Sequence, residues 1–441
     1  MARVSVLVTG DSIVAQPISG EKHPNFHKLV ELMRSTDVSI ANLEIIFPGA
    51  DRRPSTLYHG VPINMEPELL SEFEYLGFDL FGLANNHVLD YGVEGLVSSI
   101  EELERRGLPF AGVGRTLSEA LAARTVERAG TTVALIAAGT THARLAAAAD
   151  PTGGDRGRAG IAPVRIDKVH YIDRDRFEDF RDVFARSGVD VKLAEAGSSR
   201  MYFPYPDRAI YLPPPAGGFA VEGIRFVPDA NPRVETVAVE RDVEALIASV
   251  SEAAASADVI IVALHSHEGA GGRWNGETLA EFLQPLAYRL IDAGASAVVN
   301  HGPHTLRGVE VYKGRPICYS LSNFIYRIDT VASFPAEFYE QVGLPDTSSP
   351  PDIFSLMKGF LADPHLWDSI VSRFVFEDGK VAAVEIHPIT LMDAEMPGIP
   401  KLADVAEGTR ILQEMIRLSA SFGTEINVVE ADGHVMGIVP L

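Results

Sequence analysis

The chain has 441 residues, 46% of them hydrophobic and 22% charged, enough to bury a large core and to form two or three units. Its formal net charge of −22 and pI near 5.0 argue against non-specific binding to nucleic acid or to an anionic membrane, because both need a basic face. The single Cys318 excludes an internal disulfide, the N-terminus lacks a signal-peptide pattern and no apolar run is long enough to span a bilayer, so a cytoplasmic location is expected.

Val4–Thr9 is a β-branched run closing on Gly10-Asp11, which predicts a strand with Asp11 at its carboxyl end. Phe26–Met33 has helical spacing, and Val38–Glu44 predicts a second strand that again closes on a carboxylate. Asp51–Tyr58 is expected to be an exposed loop, whose Arg52 and Arg53 could reach over a site and grip a substrate carboxylate. Phe81–Ala84 predicts a third, buried strand running into Asn85, Asn86 and His87, with Asp90 one turn later. In an open α/β sheet ligands bind outside the carboxyl ends of strands. Two amides, an imidazole and a carboxylate there need partners if they are buried. The alternative is a polar turn in which Asn85 or Asn86 caps the next helix.

Val93–Arg106 predicts a crossover helix, Gly107–Arg115 an extended segment, Leu117–Arg124 a helix and Thr131–Ala138 a strand ending near Thr140, Thr141 and His142. The alternation argues for a helix-covered parallel sheet. Residues 143–240 break it, with a charged helix candidate at His170–Ser187 and aromatics among prolines at Tyr202–Pro215. This stretch is expected to be an inserted lid or partner surface, either a peptide groove or ordinary loop packing. Arg241–Ala255 predicts a helix, Val259–Leu264 a fully buried strand leading into His265-Ser-His267, and Glu277–Ala293 a helix. Ala297–Asn300 predicts a strand leading into His301 and His304. Hairpins are expected at Lys313-Gly314, Asp378-Gly379 and Asp432-Gly433, a surface excursion over 331–365, and a helix over Ala403–Phe422.

Five strand ends thus present Asp11, Glu44, Asn85-Asn86-His87, His265 with His267, and His301 with His304. Divalent ions of the Mn, Fe or Zn kind take this mixture of imidazole and carboxylate oxygen. Any one of the five could be a structural residue; their recurrence points to a metal.

Gly10-Asp11, Asn42-Leu-Glu44, Asn85-Asn-His87 with Asp90-Tyr-Gly92, the His301–His304 segment and Tyr319-Ser-Leu-Ser-Asn-Phe324 together resemble the CapA-type (poly-γ-glutamate capsule synthesis) branch of the metallo-dependent phosphatase (calcineurin-like) superfamily. The resemblance covers roughly residues 3–142 and 258–326. It implies an α/β fold, a four-layer α/β/β/α sandwich with a metal centre at one edge. On that basis 1–142 and 241–330 are the two halves of one domain, 143–240 an inserted lid-like segment, and 331–441 a C-terminal completion. There are departures. Asp11-Ser-Ile13 stands where two-metal members carry Asp-x-His, Glu44 replaces a bridging Asp, and His265-Ser-His267 stands where capsule-type relatives tend to carry His-Trp-Gly. One tightly bound divalent ion is therefore expected, with Mn, Zn, Fe, Ca and Mg left open.

One branch of the same superfamily contains lasso-peptide epimerases. An acidic chain without an anchor and with an Arg/aromatic/Pro insertion resembles that branch more than the capsule branch. The resemblance then implies inversion at the Cα of the C-terminal residue of a ribosomal precursor peptide, with a peptide-recognition protein as a further partner. Asp11, Glu44, Asn85, His265 and His301 would sit on or near the metal, with His304 a further ligand. His87 and His267 would be the acid/base pair, Asn86 and Asp90 would orient them or the substrate, and Arg52 or Arg53 would hold a carboxylate. The rival expectations are a metal-dependent phosphoesterase, a CapA-type factor in poly-γ-glutamate synthesis, and a binding module with a structural metal.

Overall fold

Val259–His265 is apolar at nearly every position because both of its faces are covered. Val259, Ile261 and Ala263 join one apolar cluster, while Ile260, Val262 and Leu264 join another. The same division organises the rest of the chain. The computed structural model describes residues 3–49, 53–55, 61–187, 217–221, 224–328, 331, 334–356, 358–393, 397–431 and 433–441.

These residues form a mixed α/β fold with several sheets. In the ten-stranded sheet, Arg3–Ile13, Val38–Leu43, Leu80–Gly82 and Phe110–Ala111 run parallel in that order. Beyond Arg3–Ile13 the sheet continues antiparallel through Asp368–Glu377, Lys380–Thr390, His434–Val439 and Asn427–Ala431. The six-stranded sheet has Thr131–Gly139, Val259–His265, Ala297–His301 and Arg315–Leu321 in parallel, with Arg124–Arg128 and Leu306–Tyr312 as antiparallel edges. Val4, Val6 and Val8 of the first sheet share a buried cluster with Leu135, Ile261 and Val299 of the second, so the sheets pack face to face. Helices Pro24–Arg34, Leu70–Leu76 and Gly92–Arg106 bury Phe26, Phe73 and Leu96 against the outer face of the first sheet. Glu240–Ala253 and Leu283–Ala293 bury Leu246 and Leu286 against the second.

Between the strand at Thr131–Gly139 and the helix at Glu240–Ala253, the chain builds a separate four-stranded sheet from Ile166–Asp173, Phe219–Val221, Ile224–Asp229 and Arg233–Ala238. Helix Phe177–Arg186 packs on it through Phe177, Phe180 and Phe184. The segment Tyr202–Pro215, expected to be a groove or loop packing, lies outside the described residues.

Several element boundaries differ from expectation for local reasons. The helix predicted over 117–124 stops at Leu121, and Arg124–Arg128 instead pairs antiparallel with the next strand across Ala129-Gly130, both at positive φ. His170–Asp173 is strand rather than helix, because it lies between two partner strands. The helix expected from Glu277 starts at Leu283, which puts Pro285 in its first turn, where the missing N–H costs nothing. Residues 331–365 contain short helices at Ala336–Val342, Pro350–Leu356 and Lys358–Leu361. Lys313-Gly314 and Asp378-Gly379 both have positive φ, which closes their two hairpins tightly. Among the described residues no helix is long and apolar enough to cross a membrane.

Candidate metal centre

The centre forms where the carboxyl ends of both parallel sets of strands meet. Arg3–Ile13 changes partner near its end, pairing with Asp368–Glu377 up to Val8 and with Asn323–Tyr326 from Asp11. A Cβ on Gly10 would lie 2.0 Å from the Ser322 carbonyl oxygen, so only glycine permits this crossing. The register shifts around Asp11, as strands often do beside functional sites. Asp11 therefore lies inside the strand, not beyond it. His265 and His301 are in register on adjacent parallel strands. The strand at Leu80–Gly82 is only three residues long, and the turn after it carries Asn85 to Asp90.

Glu44 lies in the middle. It is fully buried, and neither carboxylate oxygen has a hydrogen-bond partner. Its Oε1 is 3.6 Å from His265 Nε2 and 3.7 Å from His87 Nε2. Ligand atoms of Glu44, His265 and His267 lie within 4.8 Å of one another, and so do those of Asp11, Glu44 and His304. Asn86 Oδ1 lies 2.8 Å from His265 Nε2 and 3.3 Å from His267 Nε2. Asp11 Oδ1 accepts from Asn42 Nδ2 at 2.7 Å, and its Oδ2 accepts from Gly302 N at 3.1 Å and lies 3.5 Å from His304 Nδ1. His304 (φ 53°) and Ser322 (φ 63°) hold left-handed backbone conformations beside this cluster, local strain of a kind common at functional sites.

The electrostatics run the same way. Burial, and then the charge of Asp11, push the Glu44 carboxyl well above its ordinary range. Burial opposes ionisation of Asp11 too, but the His304 hydrogen bond and the neighbouring imidazoles outweigh it and hold its carboxyl well below the usual range. Burial pushes the His265 imidazole down to about 3 and the His267 imidazole well below its ordinary value. Two buried carboxylates beside neutral imidazoles, one of them without a donor, are the partners a divalent cation requires. Asp11, Glu44, Asn86, His265, His267 and His304 are the residues that could hold it.

Three placements correct the expectations from sequence. His301 has its Nδ1 3.2 Å from the Leu264 carbonyl oxygen and its Nε2 2.9 Å from that of Thr9. Both nitrogens face backbone carbonyls, of which a neutral ring can donate to one, and the contact with Thr9 spans the two sheets. Asn85 is occupied by the backbone as well, with Nδ2 donating to Leu43 O and Oδ1 accepting from His87 N. Asn86 takes the place expected for Asn85. His267 has its Nδ1 2.7 Å from Asn275 Oδ1 and its Nε2 in the cluster, which suits a ligand better than half of an acid/base pair.

His87 and Asp90 form a dyad, Nδ1 to Oδ2 at 2.7 Å, and the same Asp90 oxygen accepts from Ile63 N. Burial raises the Asp90 carboxyl against the pull of His87. A cavity of about 520 Å³ adjoins the cluster, lined by His87, His267 and His304 together with Trp274, Tyr326 and Asp363. Arg53 is exposed and is not among its lining residues, and Arg52 lies outside the described residues. Sequence reasoning missed Asn42, Trp274, Asn275 and Asn323. Asn42 and Asn323 sit inside motifs already singled out, whereas nothing in the local pattern marks Trp274 or Asn275.

Comparison with known proteins places the chain in a family. The family described as "Bacterial capsule synthesis protein PGA_cap" matches residues 5–327. The chain is 32% identical over 456 residues to the protein named "Uncharacterized protein y4sH" of Sinorhizobium fredii, covering 98% of this chain and 92% of that one. It is 23% identical over 267 residues to "PGA biosynthesis protein CapA" of Bacillus subtilis, covering 60% of this chain and 47% of that protein. It is 26% identical over 296 residues to "Probable polyglutamine synthesis accessory protein Rv0574c" of Mycobacterium tuberculosis, 66% of this chain and 56% of that one. A match of this extent, joined to the cluster around Glu44, makes the chain a member of the PGA_cap family of bacterial capsule synthesis proteins.

Proposed function

We propose that this chain is a divalent-metal-dependent acid/base enzyme acting on a peptide. The reaction we assign to it is inversion at the Cα of the C-terminal residue of a ribosomal, lasso-type precursor peptide. The fold is taken to be the four-layer α/β/β/α sandwich of the metallo-dependent phosphatases, with 143–240 as its lid and a peptide-recognition protein as a further partner. The observation that carries the reading is the fully buried Glu44, without a hydrogen-bond donor among carboxylate and imidazole atoms, beside a cavity lined by His87, whose ring Asp90 holds.

A divalent ion held by Asp11, Glu44, Asn86, His265, His267 and His304 would polarise a substrate carboxylate or carbonyl and so acidify the neighbouring Cα–H. The chain's own residues do the rest. Asp90 accepts Nδ1–H of His87, which leaves the Nε2 lone pair to take a proton. Val61, Ile63 and Tyr326 supply apolar walls that keep water from the reacting carbon.

The direct test is proton exchange in D₂O with Mn²⁺- or Zn²⁺-loaded protein and linear peptides of varied C-terminal residue. Deuterium at a single Cα, absent in EDTA and absent with His87→Ala, is the expected result. A second reading, a metal-dependent phosphoesterase, is favoured by the presence of one clear dyad, which is sufficient to protonate a leaving group. Phosphate release from an aryl phosphate without Cα labelling in any peptide would replace the first reading by this one. The names of the CapA and Rv0574c relatives favour a third reading, a role in poly-γ-glutamate synthesis. Binding of γ-linked oligoglutamate in preference to α-linked peptides would support it.

A further inference from the structure

His267 is gripped on every side by a loop that the chain takes trouble to hold. Its Nδ1 lies 2.7 Å from Asn275 Oδ1, and its carbonyl accepts from Asn275 N at 3.0 Å. Its own N–H donates to Thr141 Oγ1 at 2.9 Å. The Trp274 ring stacks on the imidazole at 4.1 Å, with 9° between the planes. The loop is anchored from beneath by Arg307, whose side chain is completely buried. Its Nε donates to Gly276 O at 3.0 Å, and its Nη2 to Gly276 O at 2.7 Å and to Glu268 O at 3.0 Å. Burying a guanidinium is costly, and here Nε and Nη2 donate to the backbone on either side of Trp274 and Asn275, while Nη1 has no partner among the described residues. Asn275 itself sits at φ 53°, which a short amide side chain tolerates better than most.

We propose that Asn275 is a positioning residue for the centre. Its side-chain oxygen accepts the Nδ1 proton of His267, and so fixes the tautomer whose Nε2 lone pair faces Glu44 and His265. Metal-binding histidines generally have their second nitrogen fixed in this way, and loss of the outer partner typically costs 10–100-fold in affinity. Asn275 thereby makes His267 a ligand and leaves proton transfer to His87. The assignment rests on the metal-dependent reading above, so the experiment must separate the two.

The test is Zn²⁺ affinity of the full chain, measured by competition with a chromophoric chelator. Fluorescence serves as a second signal, since the chain has only two tryptophans and one stacks on His267. Wild type is expected to bind, Asn275→Ala to bind roughly 10–100-fold more weakly, and Asn275→Asp, which keeps the acceptor, to bind within a few-fold of wild type. Asn275→Gly removes the same oxygen while relieving the left-handed backbone. It should show the same loss without the left-handed strain that Asn275→Ala adds, and circular dichroism confirms that it is folded. Unaltered affinity in folded Asn275→Gly would overturn the positioning role while leaving the metal centre standing. Absence of Zn²⁺ binding by wild type would overturn the metal-dependent reading, and this inference with it.

Discussion

Glu310 and Glu44 are both carboxylates removed from water, 7% and 0% exposed, and the fold treats them in opposite ways. Around Glu310 it gathers donors. Tyr319 Oη donates at 2.5 Å, Gln284 Nε2 at 3.0 Å, and Tyr288 Oη donates as well. Burial, and then the bond to Glu310, push the Tyr288 phenol up to about 12, so it remains a donor at any physiological pH. Around Glu44 the fold gathers other metal-binding groups and no donor. The machinery for satisfying a buried carboxylate thus exists in this protein and is not used at Glu44. That difference marks Glu44 as a residue kept for a ligand rather than for packing.

The comparison can be broken most sharply by exchanging each glutamate for its amide. Glu44→Gln should weaken metal binding by more than the roughly 10–100-fold that outer partners contribute. The metal-free variant should unfold no earlier than metal-free wild type, since burial already favours the neutral form of Glu44 when no metal is bound. Glu310→Gln should leave metal affinity alone and lower stability by about 1–3 kcal/mol in denaturant unfolding, because donors lose their acceptor. If both variants destabilise alike without touching metal affinity, Glu44 is as structural as Glu310.

His87→Ala sharpens the distinction between holding a metal and doing chemistry. It should reduce Cα exchange by about 10²–10⁴-fold with the bound metal unchanged, as read by elemental analysis beside the rate. A smaller effect is expected from pH. Burial lowers the pKa of His301 below its ordinary 6.5, so the folded chain binds fewer protons there than the unfolded one. Its contribution is complete above about 6.5 and is lost as pH falls toward the lowered value, at up to about 1.4 kcal/mol per pH unit. Thermal melts of metal-free protein from pH 7 to pH 5 should therefore be less steep for His301→Asn than for wild type. Equal slopes would mean that burial does not hold the His301 imidazole neutral over this range. The smallest effect is Tyr288→Phe, about 1 kcal/mol in the same unfolding assay, because Glu310 keeps two donors.

How far the chain could be read in advance follows from the range of the forces involved. Val259–His265 and Thr131–Gly139 were clear as buried strands because an apolar run covered on both faces needs no distant information. The hairpins at Lys313-Gly314 and Asp378-Gly379 were equally clear, since turn chemistry is local. The helix start at Leu283 and the strand at His170–Asp173 were not, because neighbouring strands and the position of Pro285 overruled local propensity. At the site, polar residues at successive strand ends pointed to a metal, and the structure brings Asp11, Glu44, His265 and His304 together as candidates to hold one.

The amino-acid order by itself determined which segments had to be buried and which strand ends carried groups too costly to bury alone. Only the tertiary structure decided which of two nearby residues reaches the centre: Asn86 rather than Asn85, His304 rather than His301. Asn85 and Asn86 lie in the turn after a strand, and His304 in the bend after the strand that ends at His301, so local turn geometry and not strand alternation sets which side chain faces the centre. It also decided that Asn275, eight residues beyond His267, would return to hold that ring, a contact made by a loop that a buried arginine pins from another strand.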